Sequence, residues 1–336
     1  MPMYDPGTLY SDPILTEFSV GYRDPVFVGE RLLPLVPVDT QSGRYRVWGR
    51  ERRVRYPSRR EPGTVANEVR GGRWSEDTFK TRERSLQAAV ADEEDQQLNS
   101  QGGLANPAFG GSFQINPHED ATAFVTGALL LDHEISAANL LRNTATYPVG
   151  NTVTLLAADQ WDNYAGATSN PIDILRTAIN KITSLVGVKP NKLLMGSSGA
   201  TWLENHPDVV ARFTNFNLTD PEAFRKLTGF DGEIILVGVD DYYNTNDVEE
   251  ATVSMSSVWG KDVILLYNQE DLGLNDLSFG KTFAQRYPDG TVRPVDRWRE
   301  EGRKSDLVRV SFKWDLKVTS SFAGYLIKDA FGATAW

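Results

Sequence analysis

Three histidines, His118, His133 and His206, and no cysteine set narrow limits on metal and nucleophile chemistry in this chain of 336 residues. Thiolate ligands and disulfides are excluded. His133 stands beside Glu134, but no second ligand type lies three or four residues from it, as a helical metal site needs. All three histidines are expected as solvated or hydrogen-bonded surface residues. Gly196-Ser197-Ser198-Gly199 follows an apolar stretch and opens a helical one, the setting of a nucleophile elbow. The G-x-S-x-G pattern needs glycine at position 200, where Ala200 stands, so the serines are expected to cap a helix. Gly280-Lys281-Thr282 has the end of a phosphate-binding loop without its first glycine, since position 275 is Asn275 and Gly273 comes too early. Phe279 and Phe283 flank it at strand spacing, so a strand is expected. Asp92-Glu93-Glu94-Asp95 is expected as a solvated helix face, with a divalent cation or a basic partner as the alternative. The acidic stretch from Asp240-Asp241-Tyr242-Tyr243-Asn244 to Glu250 lacks the spacing and central glycine of a calcium loop and is expected as a surface loop. No catalytic, cofactor or metal constellation survives, and a protein without enzymatic activity or cofactor is expected.

Charge is unevenly spread. Between Arg44 and Arg84 thirteen basic residues face six acidic ones, a local +7 within a chain of net charge −10. A basic segment on an acidic body points to nucleic acid or to an acidic protein surface, including that of another copy of the chain. Apolar residues make up 40% and charged residues 24%, the range of soluble globular proteins. The apolar stretches are too short for a membrane span, and the start of the chain lacks the basic and apolar regions of a signal peptide. A soluble, untargeted protein is expected.

These features need elements to position them. Residues 1–43 hold prolines at 2, 6, 13, 25, 34 and 37, which predicts an extended arm lying on another surface. Residues 44–84 alternate at Tyr45-Arg46-Val47-Trp48 and again at Arg52-Arg53-Val54-Arg55-Tyr56, then break at Pro57, Pro62, Gly63, Gly71 and Gly72. This predicts a long hairpin of two basic strands with too little apolar content for a core of its own. Residues 117–142 predict a long helix with Asn116 as cap, Pro117 in the first turn, and an apolar stripe of Phe124, Ala128, Leu131, Ile135 and Ala138. A mixed α/β region follows, with helices after Asn170-Pro171 (closed by Gly187), near Ala200 and after Asp220-Pro221, and strands at 192–195, 233–237, 254–259, 263–267 and 278–285. A second long hairpin, Val292–Arg299 and Leu307–Lys313, turns around Gly302, and a last strand runs at Tyr325–Lys328.

In this order the chain resembles the major capsid proteins of tailed bacteriophages with the Hong Kong 97-like fold, over nearly its whole length. The resemblance rests on several segments and their spacing. They are Leu131-Asp132-His133-Glu134-Ile135, Thr154-Leu155 to Trp161-Asp162, Ser169-Asn170-Pro171-Ile172-Asp173-Ile174 and Pro190-Asn191-Lys192-Leu193-Leu194-Met195-Gly196. Further along come Trp202-Leu203-Glu204-Asn205-His206-Pro207-Asp208-Val209, Val258-Trp259-Gly260 with Val263–Tyr267, and Ala323-Gly324-Tyr325-Leu326-Ile327-Lys328.

The resemblance implies an α+β capsid fold with five parts. Residues 1–43 would be the N-terminal arm, 44–84 the extended E-loop hairpin, 85–149 the peripheral domain with its spine helix, 150–290 the axial domain, and 291–336 the returning hairpin and final strand. It implies hexamers and pentamers of an icosahedral shell around double-stranded DNA, assembled in the host cytoplasm. It also implies separate scaffolding, portal and possible decoration proteins, with no membrane partner. The candidate contacts between subunits are Arg52, Arg53, Arg55, Arg59 and Arg60 on the hairpin, and the acidic residues Asp92, Glu93, Glu94 and Asp95.

Two features depart from the prototype. Some members carry a long N-terminal scaffolding segment where about 43 residues precede the E-loop here, so either a separate scaffolding protein or a processed chain is expected. The prototype's lysine–asparagine cross-link also lacks its parts, since Lys80 is the hairpin's one lysine and the late hairpin has no asparagine. An encapsulin-type compartment is the related alternative, disfavoured by the proline-rich start. A nucleic-acid-binding protein using the basic hairpin is the alternative from another class, disfavoured by repulsion between phosphate and the acidic remainder.

Overall fold

Pro117–Leu141 forms a helix of 25 residues (α3), roughly 38 Å long. The Asn116 side chain accepts from the His118 N–H at 3.2 Å, Pro117 fills the first turn, and Glu119 and Asp120 lie at the positive end of the helix dipole. The computed structural model describes residues 10–21, 27–48, 55, 58–63, 65–67, 74–93, 116–164, 168–212, 221–237, 242–244, 255–269 and 277–332.

One sheet has the order β1 (Tyr10–Ser11), β13 (Val295–Glu300), β14 (Ser305–Val318), β12 (Gly280–Gln285), β2 (Leu35–Val38). Strand β5 (Arg82–Ala91) pairs with β14 as well. β14 is long enough to serve three partners: β13 from Ser305 to Val310, β12 from Trp314 to Val318, and β5 from Ser305 to Trp314. The β13–β14 hairpin turns through Gly302 and Lys304, and the latter takes a left-handed φ of 49°. The second sheet has the order β6 (Thr152–Thr154), β15 (Gly324–Lys328), β11 (Val263–Leu266), β7 (Lys192–Gly196), β8 (Glu233–Val237). Two ribbons stand apart from these sheets, β3 (Ser42–Trp48) with β4 (Trp74–Lys80), and β9 (Tyr242–Asn244) with β10 (Met255–Ser257).

Three of the apolar clusters hold these layers. Leu15, Val125, Leu129, Val295, Val308 and Val310 join helix α1 (Pro13–Gly21), α3 and the first sheet. Trp161, Leu175, Ile182, Met195, Phe224 and Phe331 pack helices α4 (Pro171–Val186), α5 (Ser197–Glu204), α6 (Pro207–Val210) and α7 (Pro221–Thr228) on the second sheet. Between the two lies a bridging cluster with Leu32 of α2 (Gly29–Leu32), Leu141 of α3, Trp259, Phe279 and Leu326. Helix α4 ends where the sequence places its stop, at Gly187, whose φ of 76° needs no Cβ to be accommodated.

Several expectations are corrected. The N-terminal stretch is not extended throughout: Pro13 opens α1, with the Asp12 carboxylate accepting from the Ile14 and Leu15 N–H groups at 3.0 and 3.2 Å. Proline breaks a helix interior but suits its first position, and an aspartate before it completes the cap. The hairpin's second strand is not basic, for Trp74–Lys80 carries Glu76 and Asp77 opposite Arg46 and Tyr45. Of the alternation at 52–56, only Arg55 is among the described residues. The serines after Gly196 do not cap α5; Gly196 is the cap residue and Ser197 and Ser198 sit in the first turn. Tyr242–Asn244 is a strand rather than a loop.

The largest correction concerns α3. Its inward face is Val125, Leu129, His133, Ala137 and Leu141, whereas Phe124 is 75% exposed and Ala128, Leu131 and Ile135 are half-buried. Of the stripe expected from periodicity, Ala138 alone is fully buried. The helix is apolar on two faces, and the inward one is interrupted by a histidine that periodicity counts as polar.

Candidate assembly surface

The β3–β4 ribbon is firmly rooted. Tyr45 and Phe79 are buried with Val36, Val38 and Phe283, and Phe79 stacks on Phe283 with ring centroids 4.6 Å apart. The Tyr45 hydroxyl donates to Asp77 at 2.9 Å, the Lys80 N–H to Asp315 at 2.9 Å, and the Thr81 N–H to the Gln41 carbonyl at 2.8 Å. Burial, then the Asp77 carboxylate, raise the Tyr45 phenol well above its ordinary range, so it stays a donor. Beyond this root the side chains of Arg44, Arg46, Glu76 and Thr78 are exposed. A two-stranded ribbon without a layer against it is marginal in water.

The described tip residues, Arg55, Ser58–Gly63 and Val65–Asn67, are all exposed, with Val65 at 90%. Arg55, Arg59 and Arg60 therefore project from the chain. Arg52 and Arg53 lie outside the described residues, as do Glu94 and Asp95. Glu93 is exposed. Asp92 is not an open acceptor, because Arg299 of the same chain grips its carboxylate with two nitrogens. Arg299 also reaches Asp306 at 3.2 Å, and Arg297 donates to Asp306 at 2.6 Å and to His118 Nε2 at 2.9 Å. The Arg299 hydrogen bonds hold Asp92 below the usual carboxylate range. Burial pushes Asp306 up, but Arg297 and Arg299 outweigh it, so Asp306 also stays low. This network ties the β13–β14 hairpin to the end of β5.

A second node fixes the N-terminal segment. The buried Glu134 carboxylate accepts from the Val28 N–H at 3.0 Å, the Gly29 N–H at 2.6 Å and the Trp259 indole N–H at 2.7 Å. Burial pushes its carboxyl up against the pull of these three donors. Three segments far apart in sequence meet on one side chain, and a Cβ on Gly29 would lie 2.5 Å from Glu134 Oε2. Beside it His133 is buried, not solvated, with Nε2 3.3 Å from Thr282 Oγ1, and burial lowers its pKa to about 3. It is a neutral core histidine.

Sequence reading also missed a serine–histidine–aspartate grouping. Ser169 Oγ is 3.1 Å from His206 Nε2, and both residues are buried. The proton order is wrong for a nucleophile. The Asp208 N–H donates to His206 Nδ1, so Nε2 carries the proton and donates to Ser169, whose own hydroxyl donates to the Gln160 carbonyl at 2.9 Å. The histidine cannot take the serine proton, and the grouping anchors α6 to the start of α4. Among the described residues no group of three His, Asp or Glu side chains is placed to hold a metal ion, and no helix is long and apolar enough to cross a membrane.

No family model matches the chain. It is 24% identical over 328 residues to the major capsid protein of Burkholderia phage BcepMu, covering 96% of this chain and 97% of that protein. The major capsid protein of Pseudomonas phage JBD67 is 28% identical over 209 residues, covering 60% of this chain and 59% of the relative. Among solved structures, a phage-related protein from Bordetella bronchiseptica RB50 superposes with a TM-score of 0.71 at 24% identity, covering 96% of this chain and 98% of that one. The capsid structure of cyanophage P-SCSP1u gives a TM-score of 0.55 at 10% identity, covering 97% and 92%.

Proposed function

We infer that this chain, which has the α+β, Hong Kong 97-like fold of tailed-phage capsid subunits, is a major capsid protein: a unit that assembles with copies of itself into the shell of a virion. The observation that carries this reading is the end-to-end match to a curated major capsid protein. The geometry supports it from below, since the β3–β4 ribbon is anchored at its root and exposed beyond it, as a part that finishes folding on a neighbour would be. The helical Pro13–Gly21 removes the proline-rich start as a ground against an encapsulin-type compartment. The curated relatives, both phage capsid proteins, still favour the virion.

In this reading residues 1–43 are the N-terminal arm, 44–84 the E-loop, 85–149 the peripheral domain with α3 as its spine, 150–290 the axial domain and 291–336 the returning hairpin and last strand. Hexamers and pentamers assemble in the host cytoplasm with separate scaffolding and portal proteins. They enclose double-stranded DNA without reading its sequence, and the chain does no catalysis. Electron microscopy of the purified chain, alone and with a scaffolding protein, tests this: closed shells or capsomers are expected, and single particles in both samples would refute it.

The shell is expected to hold without covalent links. There is no cysteine. Lys80 sits at the ribbon's root, and the tip offers arginines, whose guanidinium is a poor nucleophile. Mature particles boiled in detergent should run as one band near 37.4 kDa, and a ladder of multimers would overturn this.

A further inference from the structure

His133 sits in a box with no place for a second proton. The imidazole lies edge-on to Trp314, with ring centroids 5.0 Å apart, and tilted to Phe312 at 6.2 Å. Each of these rings already carries a cation. The Arg84 guanidinium stands 3.6 Å from the Trp314 centroid, and that of Arg293 stands 5.7 Å from the Phe312 centroid. The nearby carboxylates are engaged elsewhere: Asp132 with Arg84 at 3.0 Å, Glu30 with Arg293 at 3.7 Å, and Glu134 with Val28, Gly29 and Trp259. The polar contact of the imidazole fixes its proton. Thr282 gives its one hydroxyl hydrogen to the Leu33 carbonyl at 3.0 Å, so its oxygen accepts from His133 Nε2–H at 3.3 Å, and Nδ1 is the bare nitrogen. This relay joins α3 and β12 to the residue that closes α2. Beyond Leu33, β2 pairs with β12, and Val36 and Val38 belong to the cluster that roots the β3–β4 ribbon.

We propose that His133 is an acid-sensitive latch, which seats the segment Val28–Val38 on α3 and β12 and releases it when the imidazole takes up a proton. Protonation at Nδ1 puts a third cation beside Arg84 and Arg293, between aromatic walls, with no acceptor for the new N–H among the described residues. The charge is tolerated only where water reaches it. Helix α3 is held to the first sheet by Val125, Leu129 and Val308, whereas the segment is a four-residue helix and a four-residue strand at the end of the sheet. The segment is therefore the part that yields. Burial, then Arg293 and Arg84, lower the imidazole from 6.5 to about 3 in the closed form. The open form binds the proton first, so the open-to-closed ratio rises about tenfold for each pH unit below about 6.5. Glu134 works the other way, because its raised carboxyl takes a proton more readily in the closed form. His206, also lowered by burial, adds a dependence of its own at α6.

Amide hydrogen exchange of the full, unassembled chain, corrected for the intrinsic rate at each pH, tests the latch apart from the capsid reading. Between pH 7 and pH 5, peptides covering residues 28–38 should lose protection by more than about tenfold. Peptides covering β7 of the second sheet should hold theirs. His133→Gln can still donate to Thr282 and takes up no proton, and His133→Leu fills the box without charge. In both variants the protection of 28–38 at pH 5 should stay near its value at pH 7. Both variants keep Glu134 and His206, so the difference from the unmodified chain reads His133 alone. No loss in the unmodified chain, or an equal loss in the variants, would overturn the proposal. A second measurement needs no variant. With three histidines in the chain, ring resonances of the unmodified protein can be followed by NMR as pH falls. The His133 ring should stay neutral for as long as 28–38 stays protected, and its titration near pH 6.5 with that protection intact would also overturn the latch.

Discussion

Replacing Glu134 by alanine will destabilise the subunit by about 3–5 kcal/mol, since three buried donors lose their acceptor at once. The Val28 and Gly29 N–H groups and the Trp259 indole N–H would be left buried, and each orphaned donor costs about 1–3 kcal/mol before relaxation. For a chain of this length, that is a fall of roughly 4–7 °C in melting temperature. Glu134→Gln should fall between, because its amide oxygen still accepts while its NH2 group is turned against a donor. Gly29→Ala should act from the other side by pushing a methyl group against the carboxylate. Glu17→Ala, at an exposed position of α1, is the control and should stay within about 0.5 kcal/mol. Thermal unfolding of the unassembled subunit checks the series. A Glu134→Ala curve lying on that of Glu17→Ala would mean that the node does not hold the N-terminal segment to α3.

That node was not legible in the sequence, for a definite reason. Glu134 and His133 look like the polar face of an amphipathic helix, and only the arrival of Val28, Gly29 and Trp259 turns that face inward. Local signals served better. Asn116-Pro117, Asn170-Pro171 and Gly187 mark helix ends by side-chain chemistry and backbone freedom, and the structure uses each as expected. The strands at Lys192–Gly196, Glu233–Val237 and Val263–Leu266 are short apolar stretches of one sheet, and their type was readable. Pro13 misled because proline's effect depends on its position in a helix, which was settled by the Asp12 cap. The arginine-rich tip was plain from composition. The grip of Arg299 on the Asp92 carboxylate was not, because the two residues lie 207 positions apart.

Reversing Arg55, Arg59 and Arg60 to glutamate together will sharply lower the yield of shells and leave the melting temperature of the isolated subunit unchanged. The three side chains are exposed in the chain, so no fold contact is lost with them. A single exposed ion pair is worth only about 0–1 kcal/mol, too little to read from one mutation. On the reading that the tip arginines face carboxylates of a neighbouring copy, reversal replaces attraction by repulsion at three positions of every tip, and each tip is repeated at every copy around a closed shell. Small increments of one sign then act on a cooperative assembly. Screening separates this from a steric effect, because at about 1 M ionic strength the Debye length is near 3 Å and both attraction and repulsion between exposed groups shrink. The deficit of the reversed chain relative to the unmodified one should therefore be widest at low salt and narrow as salt rises. Substitution of the same three residues by glutamine should give an intermediate yield, since it removes attraction without adding repulsion. If the reversed chain assembles at low salt as the unmodified one does, the tip arginines do not face carboxylates in the shell. The ribbon would then be held by its apolar residues and backbone.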